Sequence, residues 1–163
     1  MAETDWYEPV QAKLGELLSS VAGNFYLETG ATKGFSERVK AAIPAGREIV
    51  FSFLRRRPDI IGYVNREYSK DLITVEVKEK SLSIEDIYQA KMYKEVFGAR
   101  YGFLITATPI PEALKRLCKQ TYCIQHSADD PTYSFLAIAQ FHHSGGFIEW
   151  FEENPFVKEF YWK

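Results

Sequence analysis

The sequence predicts an α/β fold in which a mixed central sheet is flanked by helices. Several short runs alternate apolar and polar residues with the two-residue period of strands, and turns join them. Other segments carry apolar residues at helical spacing and lie between strands. The run 101–106 is continuous and apolar, which is typical of a strand covered on both faces. Hairpins that continue through a helical crossover, which is overwhelmingly right-handed, indicate the mixed α/β class.

Four elements are predicted at the start of the chain: a helix over residues 5–22, a short strand over 25–28, a loop over 29–35 and a short helix from Ser36 through Ile43. Val10, Leu14 and Leu18 recur at helical spacing in the first helix. Ser36 is a favourable N-cap residue for the second helix, and the residues at 44–46 break it.

Three strands are then predicted in succession, over residues 48–54, 60–68 and 72–80. An arginine-rich turn at 55–59 joins the first two, and a hairpin turn at Ser69-Lys70-Asp71 joins the last two. In the third strand, Ile73, Val75 and Val77 are expected to face a core. The residues on the other face are therefore Thr74, Glu76, Lys78 and Lys80.

The second half of the chain is predicted to alternate helices and strands. Ser83 and Asp86 form a near capping box at the start of a helix that runs to Phe97 and stops at Gly98. The remaining elements are a strand over 101–106, a helix over roughly 110–122, a strand over 133–141, a turn at 144–146 and a strand over 147–151. The predicted order is an αβββαβ core followed by a helix and a C-terminal β-hairpin, in one domain over residues 1–163.

Composition limits the class of protein. The chain has 163 residues, of which 46% are hydrophobic, so it can bury the core of one domain. Its formal net charge of −2 excludes a polycation that coats nucleic acid. Cys118 and Cys123 match neither a zinc pattern nor a secreted disulfide framework. No signal peptide and no transmembrane run is found, so we expect a cytoplasmic protein with no membrane partner.

Two carboxylates and one ammonium gather at the ends of two predicted strands. Asp59 begins one strand, and Glu76 and Lys78 lie near the end of the next. If the two strands paired symmetrically about Lys70, Asp59 would lie within a few residues of the position opposite Glu76. A bulge in one strand would make up the difference. The two carboxylates and the Val77 carbonyl offer hard oxygen ligands suited to Mg²⁺, and Lys78 would orient an activated water. Alone, however, Glu-x-Lys is also a common charge pair on a half-exposed strand.

These residues resemble the motif of the PD-(D/E)xK nuclease superfamily, which shares the restriction-endonuclease-like fold. The resemblance covers roughly residues 48–106 and rests on Pro58-Asp59, Glu76-Val77-Lys78 and Gln89. It implies Mg²⁺-dependent hydrolysis of phosphodiester bonds, with Mn²⁺ as a substitute ion and with 5′-phosphate and 3′-hydroxyl products. It assigns metal binding to the aspartate and glutamate of the motif and assistance of the nucleophilic water to the lysine.

The resemblance also assigns residues on the helices. Many members carry a Q-x-x-x-Y pattern after the triplet, and Gln89 and Tyr93 fit it. Helical spacing places both on one stripe, where the Gln89 amide faces either the site or solvent. An additional acid on the first helix is common in the superfamily. Glu16 is the candidate metal ligand there, with Glu37 behind it on the second helix.

Basic and aromatic segments complete the prediction. Arg55, Arg56, Arg57 and Lys80 are predicted to contact phosphates of nucleic acid, with Lys70 and Lys91 as extensions, although a solvated turn is an equal alternative for the arginines. The aromatic tail 147–162 is typical of a core or a dimer interface, and less often of a base-stacking platform.

The function predicted from this resemblance is a Mg²⁺-dependent endonuclease or exonuclease. Its partner would be DNA as a duplex, a junction or an end. A homodimer is plausible, because cleavage of both strands needs two sites. Two alternatives stay open: a catalytically inactive nuclease-fold module that binds nucleic acid or protein, and an RNA-directed nuclease.

Overall fold

A six-stranded open sheet forms the centre of the protein. The computed structural model describes residues 1–30, 34–47 and 56–163. Within them the strands lie side by side in chain order: β1 Phe25–Thr29, β2 Ile60–Asn65, β3 Lys70–Lys78, β4 Tyr101–Thr106, β5 Phe135–His142 and β6 Phe147–Trp150. β3, β4 and β5 run parallel, and the other neighbouring pairs are antiparallel. The predicted mixed sheet and C-terminal hairpin are confirmed.

Helices connect the parallel strands, which cannot be joined by tight turns. The helices are α1 Tyr7–Val21, α2 Glu37–Ala42, α3 Ile84–Phe97, α4 Glu112–Gln120, α5 Tyr122–Gln125 and α6 Glu159–Trp162. Short 3₁₀ turns at Glu3–Trp6 and Pro155–Val157 precede α1 and α6. In the described part of the chain, no helix is both long enough and apolar enough to cross a bilayer.

The predicted helix boundaries are set by local hydrogen bonds. The Ser36 hydroxyl accepts from the Val39 N–H at the start of α2. Ser83 and Asp86 form the expected capping box of α3, with 2.8 Å between the Ser83 nitrogen and Asp86 Oδ2. Gly98 ends α3 in the left-handed conformation, with φ of 64°. This positive φ explains why a glycine is needed at that position.

The sheet is covered on both faces. α1, α6 and the 3₁₀ turn before α6 pack on one face, where Ile73, Val75 and Val77 lie in the core as predicted. α2, α3, α4 and α5 pack on the other face. The alternation of β3 therefore turns three buried polar residues toward this second face: Thr74, Glu76 and Lys78.

Several boundaries differ from those predicted. The strand expected over 48–54 lies outside the described residues, and β2 pairs with β1 on the side away from β3. The helix expected over roughly 110–122 is split at Thr121, whose extended backbone separates α4 from α5. β5 starts at Phe135, because the Ser134 N–H bonds to the Pro131 carbonyl in a turn.

The turn between β2 and β3 lies earlier than predicted. β2 ends at Asn65 and not at residue 68, and Asn65 lies opposite Lys70. Lys70 and Asp71 therefore belong to β3 and not to the turn. The prediction of pairing symmetric about Lys70 is wrong, because the hairpin closes through an Arg66–Ser69 backbone hydrogen bond of 2.8 Å.

The aromatic tail belongs mostly to the core. The Trp162 ring stacks on Tyr101 with 4.5 Å between centroids, and Phe156 packs against both Trp162 and Phe103. This part of the tail covers the α1 face of the sheet. Val157 and Phe160 remain exposed. The homodimer stays a prediction.

Candidate functional site

A cavity of about 450 Å³ opens where β2 begins and β3 ends. The predicted residues at its wall are Arg56, Arg57, Asp59, Glu76, Lys78 and Gln89, and Glu3 and Tyr93 complete the lining. The register explains this convergence. Ile60 pairs with Val75, so one further step along the ladder places Asp59 opposite Glu76. The bulge expected from the sequence is not needed.

Asp59 is buried and held by two donors. The Tyr7 hydroxyl donates to Oδ1 at 2.7 Å, and the Val77 N–H donates to Oδ2 at 2.8 Å. Burial raises the pKa of Asp59, although these hydrogen bonds and the charge of Lys78 act in the opposite direction. The carboxylate is thus fixed in orientation at a place where water does not stabilise its charge.

Glu76 has an incompletely hydrogen-bonded side chain at the cavity. Its Oε2 lies 3.4 Å from Lys78 Nζ, whereas its buried Oε1 has no hydrogen-bond partner among residues 1–30, 34–47 and 56–163. Burial and the nearby charge of Asp59 raise the pKa of Glu76 to about 8. A buried acceptor without a donor costs about 1–3 kcal/mol. A cation bound at Oε1 would remove that cost.

Lys78 supplies positive charge to the same wall. Its side chain is 11% exposed. Burial opposes its charge, but the carboxylates of Glu76, Glu3 and Asp59 prevail and raise the pKa of Lys78. Lys78 therefore remains an ammonium at neutral pH, beside Asp59 and Glu76.

The Val77 carbonyl lies near the end of β3, on the side of Asp59. The pairing of β2 with β3 begins at Ile60 opposite Val75, so Val77 lies beyond it. The Val77 N–H donates to Asp59 Oδ2 at 2.8 Å. Because the N–H and C=O of one strand residue point to the same side, the carbonyl oxygen faces the edge where Asp59 lies.

Glu3 is the acid that the sequence analysis missed. It lies in the 3₁₀ turn before α1 and lines the cavity, where burial raises its pKa against the opposing charge of Lys78. The helical spacing of the sequence could have identified Glu3. Glu3 precedes Tyr7 by four residues, and Tyr7 precedes the buried Val10 and Leu14 at spacings of three and seven.

Glu16, by contrast, is not brought to this cavity. Its side chain is 68% exposed and pairs with Lys13 at 2.8 Å. Nine residues separate it from Tyr7, which is about 13 Å along the helix axis. Glu37 does not line the cavity either, and its side chain is 90% exposed and pairs with Lys40.

α3 contributes two side chains from one stripe. Gln89 is half-buried and lines the cavity, which favours the inward orientation over the solvent-facing one. Tyr93, one turn later, is fully buried at the same wall. The neighbouring Ile87 and Ala90 pack into the core between α3 and the sheet, and this packing fixes the rotation of the helix.

The basic residues divide into two groups. Arg56 and Arg57 are exposed at the cavity, and the Arg57 guanidinium lies 5.5 Å from the centre of the Phe35 ring. Arg55 lies outside the described residues. The other predicted cations are not part of the lining: Lys80 is exposed beyond the end of β3, Lys70 Nζ lies over the Tyr63 ring at 4.4 Å, and Lys91 Nζ donates to the Cys123 carbonyl at 2.9 Å.

The donor set suits a hard cation. Carboxylate and carbonyl oxygens from Asp59, Glu76 and Val77, with Glu3 nearby, are ligands that Mg²⁺ prefers. Over the ranges that the structure describes, no three His, Cys, Asp or Glu side chains form a ligand cluster by themselves. Mg²⁺ commonly keeps several waters and binds substrate phosphate, so one or two carboxylates suffice at such a site.

Comparisons of the chain with known protein families, curated proteins and solved structures find no significant match.

Proposed function

We propose that the protein is a Mg²⁺-dependent nuclease that hydrolyses phosphodiester bonds of DNA, with a restriction-endonuclease-like core and a PD-(D/E)xK site. One observation carries this proposal. Asp59, Glu76 and Lys78 meet at one cavity, and a buried Glu76 oxygen there has no hydrogen-bond partner in the described chain. An ordinary charge pair on a half-exposed strand would leave no such orphaned oxygen.

Each residue has a defined role in the proposal. Asp59, Glu76 and the Val77 carbonyl hold the cation, and Mn²⁺ substitutes for Mg²⁺ because both accept oxygen ligands. The bound cation would polarise the scissile phosphate and lower the pKa of a water. Lys78 orients that water and balances the negative charge that develops on the phosphate.

The remaining residues bind the substrate. The exposed guanidinium groups of Arg56 and Arg57 grip phosphates on either side of the scissile bond, where arginine forms two parallel hydrogen bonds. Gln89 can donate its amide hydrogens to a phosphate oxygen or to the water. Water then adds to phosphorus as the bond to the 3′ oxygen breaks, which leaves a 5′-phosphate and a 3′-hydroxyl.

The test compares wild type with Asp59→Asn and Lys78→Ala on branched, single-stranded and duplex DNA, with Mg²⁺ and with chelator. Lys115→Ala is the control, because this lysine lies on α4 outside the cavity lining and pairs with Glu112 at the surface. We expect metal-dependent cleavage by wild type and the control, and a loss of at least about 100-fold in the two site variants.

The same assay separates the proposal from its rivals. Wild type that cleaves no better than Asp59→Asn on any substrate contradicts the nuclease assignment. Binding of DNA without cleavage would indicate a non-catalytic module of the same fold. If an RNA substrate tested in parallel is cleaved and DNA is not, the protein is a nuclease that acts on RNA and not on DNA.

A further inference from the structure

A hydrogen bond links the start of α1 to the proposed metal ligand. The Tyr7 hydroxyl donates to Asp59 Oδ1 at 2.7 Å across 52 residues of chain, and both residues are 6% exposed. The ring of Tyr7 belongs to the core on the α1 face, together with Val10 and Leu14. A phenylalanine would fill the same place in that core. The hydroxyl is therefore explained by Asp59 and not by packing.

The two donors to Asp59 fix the plane of its carboxylate. Tyr7 acts on one oxygen, and the Val77 N–H acts on the other at 2.8 Å. A carboxylate held at both oxygens cannot rotate about its last bond without breaking one of these contacts. Each oxygen accepts more than one hydrogen bond, so each keeps a lone pair that can point into the cavity.

We infer that Tyr7 is a positioning residue, which holds the Asp59 carboxylate in the orientation that binds a divalent cation. This role rests on the proposed metal site. Without the hydroxyl, the Val77 N–H is the one hydrogen-bond donor that residues 1–30, 34–47 and 56–163 leave to the Asp59 carboxylate, which can then turn away from the cavity. The loss of such a supporting hydrogen bond typically weakens metal binding about 10- to 100-fold.

The chain offers a matched control at Tyr63. This residue is 1% exposed, and its hydroxyl accepts from Arg38 Nε at 2.6 Å on the α2 side of the sheet. Tyr63 does not line the cavity. Tyr63→Phe therefore removes one buried hydroxyl and one polar contact without touching Asp59.

The experiment measures Mn²⁺ binding to the full chain by electron paramagnetic resonance, with no substrate present. Tyr7→Phe should bind Mn²⁺ about 10- to 100-fold more weakly than wild type, and Tyr63→Phe within about twofold. Asp59→Asn gives the baseline Mn²⁺ affinity of a protein that lacks this proposed metal ligand. Equal affinity of Tyr7→Phe and wild type, with binding lost in Asp59→Asn, overturns the positioning role and leaves the proposed function intact. Wild type that binds no Mn²⁺ overturns both.

If the Tyr7→Phe variant fails to fold, a measurement on the wild-type chain tests the same role of Tyr7. With 3-fluorotyrosine incorporated, Mg²⁺ should shift a fluorine resonance that Asp59→Asn also shifts, because Tyr7 senses the charge on its acceptor. The resonance identified as Tyr63 by Tyr63→Phe should stay in place. A spectrum in which no tyrosine responds to both changes overturns the positioning role.

Discussion

Arg66 and Asp71 form an ion pair across the β2–β3 connection, with 2.7 Å between Arg66 Nε and Asp71 Oδ2. Arg100, the residue before β4, donates to the same oxygen, also at 2.7 Å. This contact lies beside the turn at residues 66–69, and the register beyond the turn places Asp59 opposite Glu76. The ion pair at one end of the hairpin and the cavity at the other end thus share one strand register.

Asp71→Asn should lower the free energy of unfolding by about 2–3 kcal/mol, because two partly buried guanidinium groups lose their shared carboxylate. Urea unfolding monitored by circular dichroism measures the change. Glu37→Gln is the control, since it breaks an exposed ion pair worth less than about 1 kcal/mol. Equal losses in the two variants would contradict a role of Asp71 in fixing the hairpin.

Gly62→Ala should destabilise the protein by about 3 kcal/mol. A Cβ at Gly62 would lie 1.9 Å from the Tyr26 carbonyl oxygen, so β1 could not stay paired with β2. Gly15→Ala is the opposite case, because its Cβ would meet only the Phe25 ring at 3.8 Å. Alanine there should stabilise α1 by about 0.5–1 kcal/mol. Thermal unfolding of both variants gives the comparison, and a Gly62→Ala protein as stable as wild type would refute the close approach.

The stability of the metal-free protein should fall as pH rises from about 5 to about 8. The folded state keeps a proton on Glu76 up to a pKa of about 8, whereas the unfolded chain releases it near the ordinary value of 4.5. Between these values the folded state binds one more proton, so its stability decreases by at most about 1.4 kcal/mol per pH unit. Above pH 8 both states have lost the proton and the dependence ends.

Glu76→Gln isolates this contribution from other titrating groups. The variant should be more stable than wild type at pH 8, and the difference should shrink toward pH 5. Urea unfolding in chelator across this range measures it. Parallel pH dependences of the two proteins would show that Glu76 titrates normally in the folded state.

Glu3→Gln should weaken Mn²⁺ binding and cleavage by about 10-fold, because it removes a carboxylate from the cavity wall. Glu16→Gln should leave both unchanged, since its exposed side chain pairs with Lys13 on another part of α1. Isothermal titration with Mn²⁺ tests the two variants side by side. The reverse result would restore the assignment of Glu16 that the sequence alone favoured.

Much of the fold follows from local sequence patterns. Strand alternation placed Glu76 and Lys78 on one face because β3 has a continuous apolar face under α1. Ser83 and Gly98 marked the ends of α3 because caps depend on side chains a few residues away. Such short-range signals can be recognised in a single sequence.

The misplaced features depend on contacts distant in sequence. Polar residues at 69–71 predict the hairpin turn there, but the turn lies at 66–69, beside a contact of Arg66, Asp71 and Arg100 that forms only in the folded sheet. The position of Glu16 in the middle of the helix predicts it as the metal ligand, whereas Glu3 is the acid that lies at the cavity. The distance from each acid to Asp59 depends on where α1 crosses the sheet. Local sequence patterns do not predict that crossing.

The hydrogen bond from the Val77 N–H to Asp59 Oδ2 has a consequence for how the hairpin ends. β2 pairs with β3 only from Ile60 onward, and at Val77 the backbone of β3 donates to a side chain. The Asp59 carboxylate thus joins the edge of the sheet to the proposed metal site. A change that moved this one side chain would disturb the end of the hairpin and the proposed site together.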